Sequence, residues 1–374
     1  MRASLALAVV LLLWLGSAAA QSPTFTEEET GVRYTVETFL PANYPVGMAF
    51  APDDTLFYNE KNTGSVRMVA PDGTLNPTPV ITLPTDGNVE RGMLGIALDP
   101  DFENNQMIYI VHTKSATAQD WPANTLVRFR LEDGVAVDVE ELLSVPIDTG
   151  ELIHNGGNIH FDADGYLYLS LGEYNNAANA QNLDTMPGKI HRFEVTDEGL
   201  VPVEDNPYGN SIYALGLRNP FDFTFDTETN YLFSVDVGPT CDDELNLIFP
   251  GFNYGWHEGY TCSGREPITG LDNGFYYAPL LSFTPVISPT GVVFYDNPAV
   301  PEWQGDLFMC DWNFGNLRRI ELDETRRQVT AVHEMDLGDV QCRIDIEVGP
   351  DGALYFGTVG EFGGAIMRLM PESE

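Results

Sequence analysis

Apolar and polar residues alternate in six short stretches of the chain, which begin at Gly47, Gly95, Asn158, Phe221, Gly291 and Ile344. In each stretch an alternating apolar segment leads into a polar turn, often with Asp and Gly, and then into a second apolar segment. Alternation with a period of two residues on both sides of such a turn is typical of a β-hairpin. No helical apolar period persists for more than a few turns, so the pattern predicts an all-β protein.

The spacing of the hairpins predicts the architecture. They start about 50 to 70 residues apart, which is the span of a four-stranded propeller blade with long loops. A β-sandwich would not repeat one motif six times, and an α/β fold would need helices between the strands. We therefore predict one domain over residues 21–374, a six-bladed β-propeller with four-stranded antiparallel blades. Residues 31–40 are expected to complete the last blade, because closing the ring removes free strand edges.

The N-terminal segment has the features of a secretory signal peptide. Arg2 supplies the positive start, residues 5–15 form an apolar run, and Ala18 to Ala20 provide a small-residue cleavage site. The apolar run is shorter than the roughly 18 residues of a membrane span, and no later segment is apolar enough to be one. We predict a cleaved signal peptide over residues 1–20 and a secreted or periplasmic protein without a membrane span.

Charge and cysteine content narrow the function further. The chain has 56 acidic and 18 basic residues and a net charge of −38, which excludes electrostatic binding to nucleic acid or to anionic lipid.

Four cysteines in an exported chain suggest up to two disulfides, and three pairings are possible. We favour Cys241–Cys262, which would tie down one loop, and Cys310–Cys342, which would join neighbouring strands.

Residues 212–256 combine several binding chemistries in one hairpin. Arg218 and Asn219 precede one strand, Gly238 and Pro239 form a turn after the next, and an acidic run ends at Glu244. A turn that exposes backbone carbonyls beside carboxylates suits Ca²⁺, which takes six to eight oxygen ligands. A guanidinium nearby suits a planar carboxylate. This hairpin is therefore the first candidate for a binding site.

The segments LGLRNP, VDVGPTCDDELNLI and GFNYGW in this hairpin resemble the soluble glucose/sorbosone dehydrogenase family. That family includes aldose sugar dehydrogenases, six-bladed propellers that use pyrroloquinoline quinone (PQQ). It also includes quinone-free propellers such as the hedgehog-interacting proteins. The resemblance implies a calcium-dependent quinoprotein that oxidises the anomeric hydroxyl of an aldose sugar, with PQQ as the hydride acceptor and an external electron acceptor.

The resemblance also implies roles for individual residues. His154, in the segment IHNGGNIHF, lies where the family has its catalytic base, and an imidazole can act as a general base near neutral pH. Arg218 and Asn219 match the pair that contacts the quinone, where negative charge develops on reduction. Glu90 and Arg91 border the sugar site, where the glucose-oxidising members carry Gln in place of Glu90. The alternative for Glu90 and Arg91 is an ion pair that only shapes the turn.

Two calcium sites are implied in the same way. The carbonyl oxygens of Gly238 and Pro239 match the ligands of the Ca²⁺ that bridges protein and quinone, where the ion acts as a Lewis acid. Glu244, through its carboxylate, and Tyr254, through its backbone carbonyl, match a second and structural site.

The last two repeats depart from the family pattern. Quinone-dependent members carry Arg-x-Arg-Asp before the last hairpin, and Cys342 and Ile344 hold the two arginine positions here. Arg343 lies between them and points to the other face of a regular strand, although a one-residue bulge would turn it back. Asn313 stands near the place of a family lysine. Arg343 is therefore our remaining candidate for a contact to the cofactor on this side.

These departures leave two alternatives. PQQ carries three carboxylates, and losing charge-assisted contacts worth roughly 1.5–3 kcal/mol each would weaken its binding by several powers of ten. Either the cofactor is held differently from the family pattern, or the protein is a quinone-free calcium-binding propeller that binds a glycan or a protein partner.

Overall fold

The computed structural model describes residues 23–262, 267–360 and 363–372. The predicted signal peptide, residues 1–20, lies outside the described residues. No described helix is long and apolar enough to span a membrane.

Four sheets of the described chain have four strands each, paired antiparallel in chain order or its reverse. The first contains β3 (Pro45–Phe50), β4 (Leu56–Glu60), β5 (Ser65–Val69) and β6 (Ile81–Thr82). The second contains β7 (Met93–Leu98), β8 (Met107–Lys114), β9 (Ala123–Glu132) and β10 (Val135–Pro146). The next contains β16 (Pro220–Phe225), β17 (Leu232–Asp236), β18 (Asp243–Ile248) and β21 (Leu281–Phe283). The next contains β22 (Pro289–Phe294), β23 (Leu307–Asp311), β24 (Leu317–Leu322) and β25 (Val329–Met335).

A fifth sheet joins the two ends of the chain. It contains β26 (Ile346–Val348), β27 (Leu354–Gly360), β28 (Gly363–Pro371), β2 (Arg33–Ala42) and β1 (Thr24–Thr26). The N-terminal β2 pairs antiparallel with the C-terminal β28, from Tyr34 opposite Pro371 to Ala42 opposite Gly364. This pairing confirms that residues 31–40 complete the last blade.

The remaining sheet is branched and departs from the predicted four-strand plan. It contains β11 (Gly156–Phe161), β12 (Leu167–Leu171), β13 (Lys189–Thr196), β14 (Gly199–Pro202), β15 (Ile212–Leu215), β19 (Phe252–Asn253) and β20 (Phe275–Tyr276). The turn at Gly199 folds β14 back onto the end of β13, so β15 pairs only with the beginning of β13. Five described sheets thus form blades, and the branched sheet, third in chain order, divides one position beside β13 between two strands.

In the described residues, helices are confined to short segments in loops: α1 (Phe102–Asn105), α2 (Ala178–Gln181) and a 3₁₀ turn (Pro301–Trp303). The all-β class and the propeller arrangement are confirmed. The innermost strands β3, β7, β11, β16, β22 and β26 contact one another in sequence around a closed ring.

Apolar side chains fill the space between neighbouring blades. Phe57 and Val66 of the first sheet pack with Ile96, Ile108 and Phe129 of the second, and all five are buried. Burying one such side chain contributes about 1.5–3 kcal/mol. Clusters of the same kind around the ring hold the inner strands in fixed positions.

Both favoured disulfides are confirmed. Cys241 is bonded to Cys262 and Cys310 to Cys342, and no described cysteine is free. Cys342 and Cys310 are fully buried in the core between the last two blades. The side chain at position 342 therefore serves the fold.

Candidate active site

The candidate residues meet because most of them precede an inner strand. Arg91 lies two residues before β7, His154 two before β11, Asn219 one before β16 and Arg343 three before β26. All inner strands of a propeller run in the same direction along the central channel, so these positions gather at one mouth of the channel. A cleft of about 270 Å³ opens there, lined by Tyr44, Lys61, Glu90, Asn219, Phe221, Thr290, Trp312 and Ile344 among others.

His154 is held in one orientation at this mouth. It is buried and has a left-handed backbone, with φ of 58°, beside two glycines that also have positive φ. Its Nδ1 lies 2.8 Å from Oε1 of Glu173, and a carboxylate accepts, so Nδ1 carries the proton. Nε2 is then the basic nitrogen, and no described residue bonds to it. His154 thus has the protonation pattern of a general base.

Glu173 is a further candidate residue, which no sequence motif indicates. It is buried, and its second carboxylate oxygen accepts a 2.6 Å bond from the backbone N–H of Asn176. The signal was present in the register: Gly156 on β11 lies opposite Leu171 on β12, so two further steps place His154 opposite Glu173. An acid two residues after the second strand of the hairpin could have been found this way.

Glu90 lies against the same histidine loop. Its Oε2 accepts a 2.6 Å bond from the backbone N–H of His154 and lies 3.4 Å from the amide nitrogen of Asn219. Glu90 lines the cleft and is half-buried. The structure therefore brings the predicted sugar-binding carboxylate next to the predicted base.

Arg91 does not line the cleft. Its guanidinium is buried, pairs with Asp86 at 2.8 Å and donates to the carbonyl of Glu151 at 2.6 Å. The structure thus favours the alternative for Arg91, an ion pair that shapes the turn. Its partner is Asp86, and Glu90 lines the cleft.

Asp236 fixes the Arg218–Asn219 pair. The backbone N–H groups of Arg218 and Asn219 donate to its two carboxylate oxygens at 2.9 and 2.6 Å. Burial raises the pKa of Asp236 to about 6. The side-chain oxygen of Asn219 accepts a 3.0 Å bond from the N–H of Gly156, so the pair is also tied to the histidine loop.

The guanidinium of Arg218 has an unused donor. It donates through Nη1 to the carbonyls of Val237 at 2.7 Å and Gly238 at 2.9 Å, and it lies over the ring of Trp256. Its Nε and the Nε1 of Trp256 are buried and have no partner among the described residues. Burial lowers the pKa of Arg218. Buried donors without partners are rare and point to a bound group, here an acceptor.

The turn at Gly238 closes on Asp243. The N–H of Gly238 donates to Asp243 at 2.7 Å, and the backbone N–H groups of Ile287 and Ser288 donate to the other oxygen at 2.5 and 2.6 Å. A Cβ at position 238 would lie 2.1 Å from the carbonyl oxygen of Cys241. Only glycine fits this turn, which holds the carbonyls of residues 238 and 239 beside the acidic run.

The residues around this turn fit a calcium ion. Gly238, Pro239, Asp242, Glu244 and Tyr254 line one small pocket. Burial, with neighbouring acidic groups, raises the pKa of Glu244 well above its usual range, and its carboxylate accepts a 3.0 Å hydrogen bond from Asn246. A buried carboxylate with acidic neighbours is costly unless a cation or a proton neutralises it. The donor set is made of oxygens, as Ca²⁺ prefers.

Tyr254 can serve such an ion only through its backbone. Its hydroxyl donates to the carbonyl of Leu247 and accepts from the N–H of Phe249, both at 2.8 Å. The sequence prediction that Tyr254 offers its carbonyl agrees with this arrangement.

The far wall of the cleft contains a β-bulge. The N–H groups of Arg343 and Ile344 donate to the same carbonyl, that of Gly357, at 3.1 and 3.2 Å. Two residues therefore oppose one, as in a bulge, and the strict alternation of the strand is broken. Ile344 lines the cleft, and the guanidinium of Arg343 donates to the carbonyl of Trp312 at 2.7 Å and lies over its ring. Asn313 donates to the carbonyl of Val286.

The sequence profile of the Glucose / Sorbosone dehydrogenase family matches residues 42–368. The chain belongs to this family. Aldose sugar dehydrogenase YliI of Escherichia coli (strain K12) is 30% identical over 355 residues, 88% of this chain and 91% of that protein. The human hedgehog-interacting protein is 28% identical over 209 residues, 47% of this chain and 29% of that protein.

Among solved structures, the PQQ-bound form of aldose sugar dehydrogenase from Streptomyces coelicolor is similar to this glucose/sorbosone dehydrogenase family member. It is 26% identical with a TM-score of 0.74, and the likeness covers 91% of this chain and 98% of that one. The resemblance found in the sequence is confirmed, and the family indicates an oxidoreductase that acts on sugars. The roles of single residues and the calcium sites stay predictions.

Proposed function

We propose that the protein is an exported, calcium-dependent quinoprotein that oxidises the anomeric hydroxyl of an aldose sugar, with PQQ as the hydride acceptor. The observation that carries this proposal is the buried His154–Glu173 pair beside Glu90 at the mouth of the cleft. The similarity to a PQQ-bound aldose sugar dehydrogenase supports it. We also infer that the branched sheet is the sixth blade of the propeller, because its β11 completes the ring of inner strands.

The residues of the chain divide the work on the sugar. When bound, the quinone supplies the two-electron acceptor for the hydride that leaves C1. Nε2 of His154 takes the proton of the anomeric hydroxyl, and Glu173 stabilises the imidazolium through Nδ1–H. Glu90 accepts hydrogen bonds from sugar hydroxyls beside the base. Arg218, with its free Nε, places positive charge where negative charge develops.

Calcium would be held by the turn beneath this site. The carbonyls of Gly238 and Pro239 would hold the ion that contacts the cofactor, and Glu244 with the carbonyl of Tyr254 would hold a structural ion. The carbonyl of Gly238 already accepts from Arg218, and a carbonyl oxygen has a second lone pair for a cation.

The proposal is tested by turnover. The calcium-loaded protein is supplied with PQQ, glucose or another aldose, and an artificial dye, and dye reduction is followed. We expect PQQ-dependent dye reduction that His154→Ala abolishes. Absence of dye reduction across a panel of aldoses would contradict the proposal.

The second candidate is a quinone-free propeller that binds a glycan or a protein partner. It is favoured by one observation: Cys342 is used in a disulfide, and Asn313 and Ile344 are neutral, so the family's basic positions on the far wall are empty of charge. This candidate predicts calcium-dependent stability without PQQ uptake.

A further inference from the structure

Basic side chains without an acidic partner are uncommon in this protein. Acidic residues outnumber basic ones by 56 to 18. Most described Lys and Arg side chains accordingly have a carboxylate within 4.0 Å. The described exceptions are Lys61, Lys189, Arg218, Arg327 and Arg343. For each of these five residues, something other than a described carboxylate must offset the cost of the positive charge.

Three of these exceptions lie at or beside the cleft. Lys61 lines it, Arg343 bonds to the carbonyl of the lining residue Trp312, and Arg218 precedes the lining residue Asn219. The other two lie elsewhere. Lys189 donates to the carbonyls of Asn179 and Pro187, and Arg327 is exposed and stacks on Tyr231. Unpaired positive charge is therefore concentrated at one place in a strongly acidic protein.

Lys61 is the least expected of the three. It follows β4 and is 6% exposed, with its Nζ over the ring of Tyr44 at 5.2 Å. Nζ donates to the carbonyl of Gly87 at 2.9 Å and to the side chain of Asn62 at 3.2 Å. An ammonium has three protons, so one donor of Lys61 is left for the cleft.

The charge of Lys61 is not neutralised by its neighbours. Burial lowers its pKa to about 8, while Asp86 and Glu90 act in the opposite direction. Neither carboxylate is within ion-pair distance of Nζ, and Asp86 is engaged by Arg91. A buried ammonium without an anion is costly, and a ligand carboxylate in the cleft would remove that cost.

We propose that Lys61 is a cofactor-binding residue whose ammonium receives a carboxylate of the bound quinone. Lys61 and Arg343 then replace the cations that are absent at Asn313, Cys342 and Ile344. The inference rests on the proposed function, since it takes the ligand to be PQQ. One side of the site matches the family's base and calcium turn, while the far wall lacks the family's arginines. A cofactor contact from Lys61 would explain how PQQ binds despite this difference.

The test is an equilibrium titration with PQQ. The calcium-loaded wild type and the variants Lys61→Gln, Lys61→Arg and Lys114→Gln are titrated at pH 7, and bound quinone is measured by equilibrium dialysis and absorbance. Lys114 is the matched control, because it is exposed and paired with Glu141. We expect Kd to rise about tenfold to a hundredfold in Lys61→Gln, to change little in Lys61→Arg, and to stay unchanged in Lys114→Gln.

The pH dependence of binding gives a second measurement. A carboxylate binds the charged ammonium, so wild-type affinity should be full below pH 8 and fall as pH rises above it. Tyr44, Asp86 and Glu90 face Lys61, and all three are unchanged in the variants. Lys61→Arg stays charged through this range and should lose the pH dependence.

The titrations separate the role of Lys61 from the proposed function. A Kd of Lys61→Gln within twofold of wild type would overturn the inference and leave the proposed function standing. Absence of PQQ uptake by the wild type would overturn both. If Lys61→Gln does not fold, Lys61→Arg provides the test. The inference would be overturned if Lys61→Arg lost affinity above pH 8 as strongly as the wild type.

Discussion

At the scale of single residues, the site depends on a contact that joins two strands of one hairpin. His154 stands out in the sequence through its HNGG context, while Glu173 lies in LGEYNN, a segment without a motif. The 2.8 Å contact between them follows from the register of β11 and β12. His154 could therefore be proposed as the base from its loop, but its contact with Glu173 required a strand pairing that only the structure gives.

The substitution Glu173→Gln tests this contact. The amide keeps the shape but cannot stabilise an imidazolium, so we expect kcat to fall by about a hundredfold or more. Binding of PQQ should stay within a fewfold of wild type, because Glu173 does not line the cleft. Glu141→Gln, at an exposed carboxylate, is the control. An unchanged kcat in Glu173→Gln would contradict the assigned role.

At the scale of elements, two short irregular segments shape the site. The turn after β17 was predicted because Gly-Pro before an acidic run is a local signal. The role of Asp243 was not predicted. Its carboxylate accepts hydrogen bonds from the N–H of Gly238 in the turn and from the N–H groups of Ile287 and Ser288 before the next blade. A run of three acids in a sequence does not tell which member is a ligand and which is structural.

The sequence left a bulge on the far wall as one possibility and could not decide it. Arg343 and Ile344 share the carbonyl of Gly357, and the disulfide of Cys342 anchors the segment just before them. Sequence alternation alone pointed Arg343 away from the cleft. The bulge breaks that alternation: Ile344 lines the cleft, and the guanidinium of Arg343 bonds to the carbonyl of the lining residue Trp312. The bulge depends on packing between blades that no local pattern encodes.

Gly238→Ala tests the turn as a calcium element. The new methyl group would meet the carbonyl oxygens of Cys241 and Asp242, so the turn must open and its own carbonyls must move. We expect a loss of about 1–3 kcal/mol in the free energy of unfolding. We also expect calcium to raise the Tm of the wild type and to leave the Tm of Gly238→Ala unchanged.

Pro239→Ala is the control for the turn, because it keeps the backbone carbonyl at an exposed position. Thermal melts with calcium and with a chelator are compared for the wild type and both variants. A calcium-dependent rise in Tm of wild-type size in Gly238→Ala would argue against a calcium site at this turn.

At the scale of the whole molecule, the architecture was readable because a propeller repeats one hairpin. The six hairpins that begin at Gly47 and its equivalents all form, and β2 closes the ring with β28. The branched third sheet was not predicted. The turn at Gly199 lets β14 pair with one end of β13, so β15 pairs only with the other end. The ring explains why residues far apart in sequence, from Lys61 to Arg343, border one cleft.

At this scale the net charge raises the main question about the proposed function, because a protein with net charge −38 would have to bind a ligand with three carboxylates. The most direct measurement is the uptake of PQQ by the calcium-loaded protein, followed by absorbance. We expect saturable, one-to-one uptake that weakens with salt, because a few cations at the cleft provide the attraction. Absence of uptake up to about millimolar PQQ would rule out the proposed quinoprotein and favour a propeller that binds no quinone.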